Sequence, residues 1–197
     1  MPDKQYGIAD LLQLMQRLRD PDIGCPWDLA QTYASIVPST LEECYELAEA
    51  IESEDFEHMR EELGDVLFQV VFYTQLAAEE DRFEFNDVVD GLVSKLVRRH
   101  PHVFADGTLD SLPPARAHTT DEIRETWERI KREERTGKDK SDTLADVPVN
   151  LPALTRAQKI QKRAATTGFD WPNTEGVIGK LEEEIRSEEH TSELQSP

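Results

Sequence analysis

The chain has 197 residues, a formal net charge of −19 and 38% hydrophobic residues. This length suits one domain plus part of a second, and the acidic excess argues against nucleic acid or an anionic membrane surface as a partner. No stretch approaches the ~18 apolar residues of a membrane span, and the N-terminus has no basic region before an apolar core. The two cysteines, Cys25 and Cys44, have no paired or metal-type spacing. These features predict a cytoplasmic protein.

Helical periodicity dominates the first quarter of the chain, and no alternating strand pattern is present, which predicts an all-α fold. Apolar residues at helical spacing predict a first helix over 8–19. The proline-bearing stretch 21–38 is interpreted as a loop. Ser39 followed by Glu42 has the pattern of a capping box, so we expect a second helix to begin there and to end near Ser53.

The third predicted helix is long, with Asp55 as its cap, and reaches about Glu80. Its residues 68–76 are apolar around most of the helix circumference. A helix that is apolar all round must be buried, here either in the centre of a bundle or in a subunit interface.

A fourth helix is predicted to begin at Asn86 or Asp87, after Phe85, and to end before Pro101. Beyond it, the pattern predicts an irregular loop over 105–118 and a charged helix over 119–135, capped by Thr119 with Glu122. A polar linker over 136–142 follows. The pattern then predicts a helix over 151–166, stopped by Gly168, and a last helix from about 174 onward.

Two acidic patterns lie on neighbouring predicted helices: Glu42-Glu43-x-x-Glu46 and Glu62-x-x-Asp65. Residues three or four apart share a helix face, and the short connection between the helices predicts antiparallel neighbours. The carboxylates can therefore converge on one point, as an oxygen cage suited to Mg²⁺ or Mn²⁺.

In a chain with 41 acidic residues, a solvated helix face is the alternative explanation. Glu62 and Asp65 adjoin residues that must be buried, so an unpaired carboxylate there would be costly and a partner is expected. That partner is a lysine, an arginine or a cation.

A basic pattern follows on the fourth predicted helix, where Lys95, Arg98 and Arg99 share one face. Guanidinium groups match phosphate oxygens and lysine adds a point charge, which suits a phosphate contact. The alternative is a favourable interaction with the helix dipole at its C-terminal end. Trp27 is a candidate for stacking on a nucleobase, with a role in the core as its alternative.

The chain resembles the MazG nucleotide pyrophosphohydrolases in six segments, which are Cys25–Asp28, Thr40–Glu46, Glu62–Tyr73, Lys95–Phe104, Arg156–Arg163 and Gly168–Trp171. The resemblance implies an all-α, four-helix core that forms a homodimer or higher homo-oligomer, here with extra C-terminal helices. It also implies Mg²⁺-dependent hydrolysis of nucleoside triphosphates to monophosphate and pyrophosphate, with Mn²⁺ as a possible substitute ion.

By this resemblance, the metal ligands are Glu43, Glu46, Glu62 and Asp65, and Glu42 together with Glu43 has the catalytic role. Two roles compete for Glu42, because the predicted capping box would use it at the helix start, whereas catalysis would use it as an orienting group or base. Lys95, Arg98 and Arg99 fall where the family contacts phosphate. The remaining alternatives are a non-catalytic acidic interaction protein and a catalytically degenerate half of a tandem enzyme.

The resemblance also implies two such units in tandem. We expect a catalytic-type unit over 1–104, an irregular segment with a charged helix over 105–150, and a connecting helix with the start of a truncated second unit over 151–185. We expect residues 186–197 to be a non-native tail, since 186–196 resembles a translated sequencing adapter. We expect this tail to be disordered or poorly packed; a natural acidic tail is the alternative.

Overall fold

A computed structural model describes residues 5–113, 119–136, 147–165 and 167–193. Within these ranges the chain forms eight α-helices and no strand, which confirms the all-α prediction. The helices are α1 (Ile8–Leu18), α2 (Pro26–Leu29), α3 (Tyr33–Glu52), α4 (Phe56–Glu79), α5 (Phe85–Arg99), α6 (Thr120–Thr136), α7 (Ala153–Ala165) and α8 (Thr174–Glu193). Among the described helices, none combines the length and hydrophobicity that crossing a membrane requires. The chain divides into two compact units, Met1–Ile123 and Arg124–Pro197.

The first unit contains a four-helix core in which α4 packs against α1, α3 and α5. The buried centre of this core consists of Met15, Ile36, Val71, Phe72 and Leu76. Phe72 is the largest fully buried side chain, and the ring of Phe68 meets it edge-on. Most of the apolar stretch 68–76 therefore lies in or against the bundle centre, but Val70 is 39% exposed. The subunit-interface alternative stays a prediction.

The connection between α3 and α4 is as tight as predicted, and Asp55 caps α4. One carboxylate oxygen of Asp55 accepts hydrogen bonds from the backbone N–H groups of Glu57 and His58, at 3.2 and 3.1 Å. The Asp55 N–H itself donates to the carbonyl of Ala50 at 3.0 Å. This turn makes α3 and α4 antiparallel neighbours, which is the relationship that the acidic patterns need.

The predicted start of the second helix is wrong, because α3 begins at Tyr33 and contains Pro38 in its interior. Thr32 is the N-cap: its hydroxyl accepts from the Ser35 N–H at 3.2 Å, and its own N–H donates to the Ser35 hydroxyl at 2.8 Å. This reciprocal cap, together with burial of Ile36, outweighs the backbone hydrogen bond lost at Pro38.

Two further predictions change with that start. The stretch 21–38 is not one loop, since it contains α2 and the first residues of α3. The capping box of Ser39 and Glu42 does not exist, since both residues lie well inside α3. Glu42 therefore has no capping role.

Arg19 ties the segment between α1 and α3 to the end of α4. Its Nε and one terminal nitrogen donate to the two carboxylate oxygens of Glu79 at 2.8 and 2.7 Å. Its other terminal nitrogen donates to the carbonyl oxygens of Asp28 and Gln31. The buried guanidinium also lies over the Phe72 ring, 5.4 Å from its centroid. The hydrogen bond from Arg19 lowers the pKa of Glu79.

The helices α5 and α6 agree with the predicted helices, with small shifts in where they begin and end. α5 begins at Phe85, with Glu84 rather than Asn86 or Asp87 as its N-cap, and ends before Pro101. The predicted capping box before α6 is confirmed, because Thr119 and Glu122 exchange hydrogen bonds at 3.0 and 3.2 Å.

In the second unit, α7 and α8 occupy the two predicted helices, with Gly168 at φ +84° in the turn between them. We expect the tail to be disordered or poorly packed, and the structure continues α8 to Glu193, so 186–193 are helical. The side chains described for 181–187 are all exposed, which is consistent with poor packing. Residues 194–197 lie outside the described residues.

Candidate metal centre

The antiparallel pairing of α3 and α4 brings together the carboxylates of Glu43, Glu62 and Asp65. One oxygen from each lies within 4.8 Å of the other two. Asp65 is exposed, Glu43 is half-buried and Glu62 is only 7% exposed. Across the residues that the structure describes, this is the one group of acidic, histidine or cysteine side chains with metal-binding spacing.

Glu62 shows that the cluster is more than a solvated acidic face. Its Oε1 lies 2.9 Å from Nε2 of His58, one helical turn earlier on α4. Its Oε2 is buried and accepts no hydrogen bond from any group in the part of the chain that the structure describes. A buried carboxylate oxygen without a partner is costly, and a bound cation would satisfy it. The residues present therefore fit a divalent cation that prefers oxygen ligands.

The environment of Glu43 is consistent with this fit. Burial raises the pKa of Glu43, and the surrounding negative charges raise that pKa further, in the order Asp65, Glu46, Glu62 and Glu42. The cluster thus holds negative charges that disfavour one another. A divalent cation would relieve that repulsion.

The other two acidic residues of the pattern lie at the margin of this cluster. Glu46 is half-buried and near enough to raise the pKa of Glu43, but it is not one of the three converging residues. Glu42 is exposed. The sequence pattern thus predicted five acidic residues, of which the structure brings three into close contact.

The basic residues lie on a different helix. Lys95, Arg98 and Arg99 occupy the last turns of α5, which packs against α4. Arg98 also lines a cavity of about 640 Å³ between α5 and the segment that follows it. Trp27 is in α2 and is 61% exposed, so the alternative role for it in the core is wrong.

Sequence reasoning missed two side-chain pairs, which are His58 with Glu62 and Arg19 with Glu79. His58 is four residues before Glu62, a spacing that places both on one helix face, and this signal was available in the sequence. Arg19 and Glu79 are 60 residues apart, and no local pattern links them.

Comparison with known proteins decides the family. Residues 31–104 match the family model described as the MazG nucleotide pyrophosphohydrolase domain. A Thermotoga maritima relative, "Nucleoside triphosphate pyrophosphohydrolase/pyrophosphatase MazG", is 44% identical over 185 residues, which are 93% of this chain and 67% of that protein. The chain belongs to the MazG family.

An Escherichia coli K12 relative, "Nucleoside triphosphate pyrophosphohydrolase", is 55% identical to this MazG chain over 178 residues. The match covers 90% of the chain but 65% of the relative, so the chain spans about two thirds of the length of these two relatives. A solved structure, the mazG-related protein from Thermotoga maritima, has a TM-score of 0.51 at 22% identity and covers 64% of this chain and 99% of its own. That likeness supports the MazG fold.

Proposed function

We propose that this MazG chain hydrolyses nucleoside triphosphates to nucleoside monophosphates and pyrophosphate with a bound Mg²⁺ or Mn²⁺ ion. The observation that carries the proposal is the buried, unpartnered Oε2 of Glu62 in a cluster with Glu43 and Asp65. The relatives' names, which specify nucleoside triphosphate pyrophosphohydrolases, support the reaction.

In this proposal Glu43, Glu62 and Asp65 hold the ion, and Glu46 is the fourth ligand. When bound, a divalent cation neutralises triphosphate charge and lowers the pKa of a coordinated water. The exposed position of Asp65 beside the buried Glu62 gives the site one side open to a substrate. A bound cation would thus help this acidic site accept an acidic substrate such as a triphosphate.

The proton of the attacking water needs an acceptor. Glu43 is one candidate, because its carboxylate belongs to the cluster that would hold the ion and its coordinated water. Glu42 is the other, because it lies next to Glu43 in α3 and has no capping role to compete with catalysis. Both are proposed as catalytic residues.

The substrate's other groups are proposed to contact α5 and α2. Lys95, Arg98 and Arg99 would bind the phosphates and stabilise charge on the leaving pyrophosphate. Trp27 would stack on the base, which its exposed ring permits. We also propose a homodimer, for which the exposed apolar side chains Leu63 and Leu67 on α4 provide a surface.

A non-catalytic acidic interaction protein is the rival function, and the burial of Glu62 weighs against it. Side chains whose only role is to solvate a surface have no reason to place a carboxylate oxygen out of reach of water. A catalytically degenerate unit would keep the metal site but not the turnover. Metal binding and turnover must therefore be measured separately.

The test is Mg²⁺ titration by calorimetry beside pyrophosphate release, with Asp65→Asn and Glu42→Gln. Asp65→Asn should weaken Mg²⁺ binding and abolish turnover, because a neutral amide replaces a charged ligand. Glu42→Gln should keep Mg²⁺ affinity and lose turnover by roughly 10²–10⁴-fold if Glu42 is the base. Glu61→Gln, on an exposed position of α4, is the control and should match the parent. Parent-like binding and turnover in Asp65→Asn would refute the proposed site.

A further inference from the structure

We propose that His58 is a positioning residue that orients the Glu62 carboxylate for the divalent cation. This inference rests on the proposed metal site. The observation is the division of roles between the two Glu62 oxygens: Oε1 lies 2.9 Å from His58 Nε2, and Oε2 is buried without a hydrogen-bond partner. An ionised carboxylate can only accept, so the imidazole N–H is the donor.

The two side chains differ sharply in exposure. The Glu62 side chain is 9% exposed, whereas the His58 side chain is 42% exposed. His58 thus spans the boundary between solvent and the interior, with its imidazole edge directed at a buried acid. His58 lies one turn nearer the start of α4 and is not itself a member of the converging group, which consists of Glu62 with Glu43 and Asp65.

A hydrogen bond to one oxygen matters because the angle of the last side-chain torsion of a glutamate is broadly distributed. The carboxylate plane has no sharply preferred angle of its own. A hydrogen bond to Oε1 fixes that plane, so the ordering cost is met before an ion binds. Groups that hold metal-ligating side chains in this way are typically worth 10–100-fold in metal affinity.

A purely structural role for His58 makes a different prediction. If the imidazole served only to offset a buried charge, its loss would lower the melting temperature of the metal-free protein and leave metal affinity intact. The backbone N–H of His58 donates to Asp55, and this cap is unaffected by a side-chain change. Substitutions at position 58 therefore report on the imidazole alone.

The experiment compares the full chain with His58→Ala, His58→Gln and Arg60→Ala. Arg60 forms an exposed ion pair with Glu57 on the same helix and serves as the matched control. Mn²⁺ affinity is measured by electron paramagnetic resonance and calorimetry at a temperature where circular dichroism shows each variant folded. The melting temperature of each metal-free variant is recorded in parallel.

We expect His58→Ala to weaken Mn²⁺ binding by about 10–100-fold. His58→Gln, whose side-chain amide can donate to Glu62, should recover most of the affinity, and Arg60→Ala should match the parent. If the parent binds Mn²⁺ and His58→Ala binds it equally well, the inference fails and the metal site stands. Equal weakening by Ala and Gln would also overturn it, since hydrogen bonding would then not be the cause. A parent that binds no Mn²⁺ would overturn both the metal site and this inference.

Discussion

Replacing Arg19 by methionine tests how the segment carrying Trp27 is held on the helical core. Methionine keeps an apolar stem of similar length and removes the guanidinium. The change deletes the paired hydrogen bonds to Glu79 and the donors to the carbonyl oxygens of Asp28 and Gln31. We expect the segment 20–31 to detach from α4 more often.

The structure sets the size of this effect. A hydrogen bond that involves a charged group is worth about 1.5–3 kcal/mol, and breaking a fully buried ion pair costs about 3–5 kcal/mol. The Glu79 side chain is 34% exposed, so water can replace part of what it loses. We therefore expect a loss of about 2–4 kcal/mol in the local opening free energy, which is less than for a fully buried pair.

Native-state hydrogen exchange followed by mass spectrometry measures this opening peptide by peptide, which separates the two units. Amide protection over 20–31 should fall by about 30- to 700-fold, since 1.4 kcal/mol is a factor of ten. Protection over α7 (Ala153–Ala165) should be unchanged. The control is Arg17→Met, at an exposed position two residues earlier, in the last turn of α1. Unchanged protection of 20–31 in Arg19→Met would refute the reasoning.

The pH dependence of the same pair has a defined sign. Because Arg19 lowers the pKa of Glu79, the folded chain binds fewer protons than the unfolded chain as pH falls through this range. The stabilisation is therefore present above the ordinary glutamate pKa of about 4.3 and is lost as pH falls through the lowered pKa. The difference between the parent and Arg19→Met should shrink in that window.

Three further predictions concern local structure. Because Thr32 caps α3, Thr32→Ala should lower the free energy of unfolding, measured with urea, by about 1 kcal/mol, and Ser39→Ala should hardly change it. A larger loss for Ser39→Ala than for Thr32→Ala would place the helix start after Pro38. Gly24→Ala should destabilise the first unit strongly, because an added Cβ would lie 2.5 Å from two backbone oxygens, whereas Gly91→Ala, with open space around it, should be neutral or stabilising. Deleting 186–197 should leave the melting temperature unchanged, and a clear loss would mean that these residues belong to the fold.

Strong local signals allowed most of the fold to be predicted from sequence. Asp55 before α4 and Thr119 with Glu122 before α6 are caps that act within four residues, and both are observed. The predicted start of α3 is wrong because the local cost of Pro38 inside a helix is offset by the tertiary burial of Ile36, which the local pattern does not show. Helix propensity contributes little to the outcome where tertiary packing opposes it.

The residues of the candidate site could be predicted from the sequence, but their burial and hydrogen bonding could not. Helix spacing predicted that carboxylates of the two acidic patterns converge, and the family resemblance named Glu43, Glu62 and Asp65 among the ligands. The structure brings these three together. The sequence pattern could not show which carboxylate is buried, since burial depends on how α3 and α4 pack. It therefore could not reveal the unpartnered oxygen of Glu62, nor the position of Glu46 at the margin of the cluster.

The central claim is most directly tested by identifying the products of the full chain with ³¹P NMR. Nucleoside triphosphates are incubated with the protein, with Mg²⁺ present or removed by chelation, and Asp65→Asn is the matched inactive variant. The account predicts nucleoside monophosphate and pyrophosphate in equal amounts, formed only by the parent and only with Mg²⁺. Nucleoside diphosphate with inorganic phosphate, or no consumption of any nucleoside triphosphate with Mg²⁺ present, would contradict it.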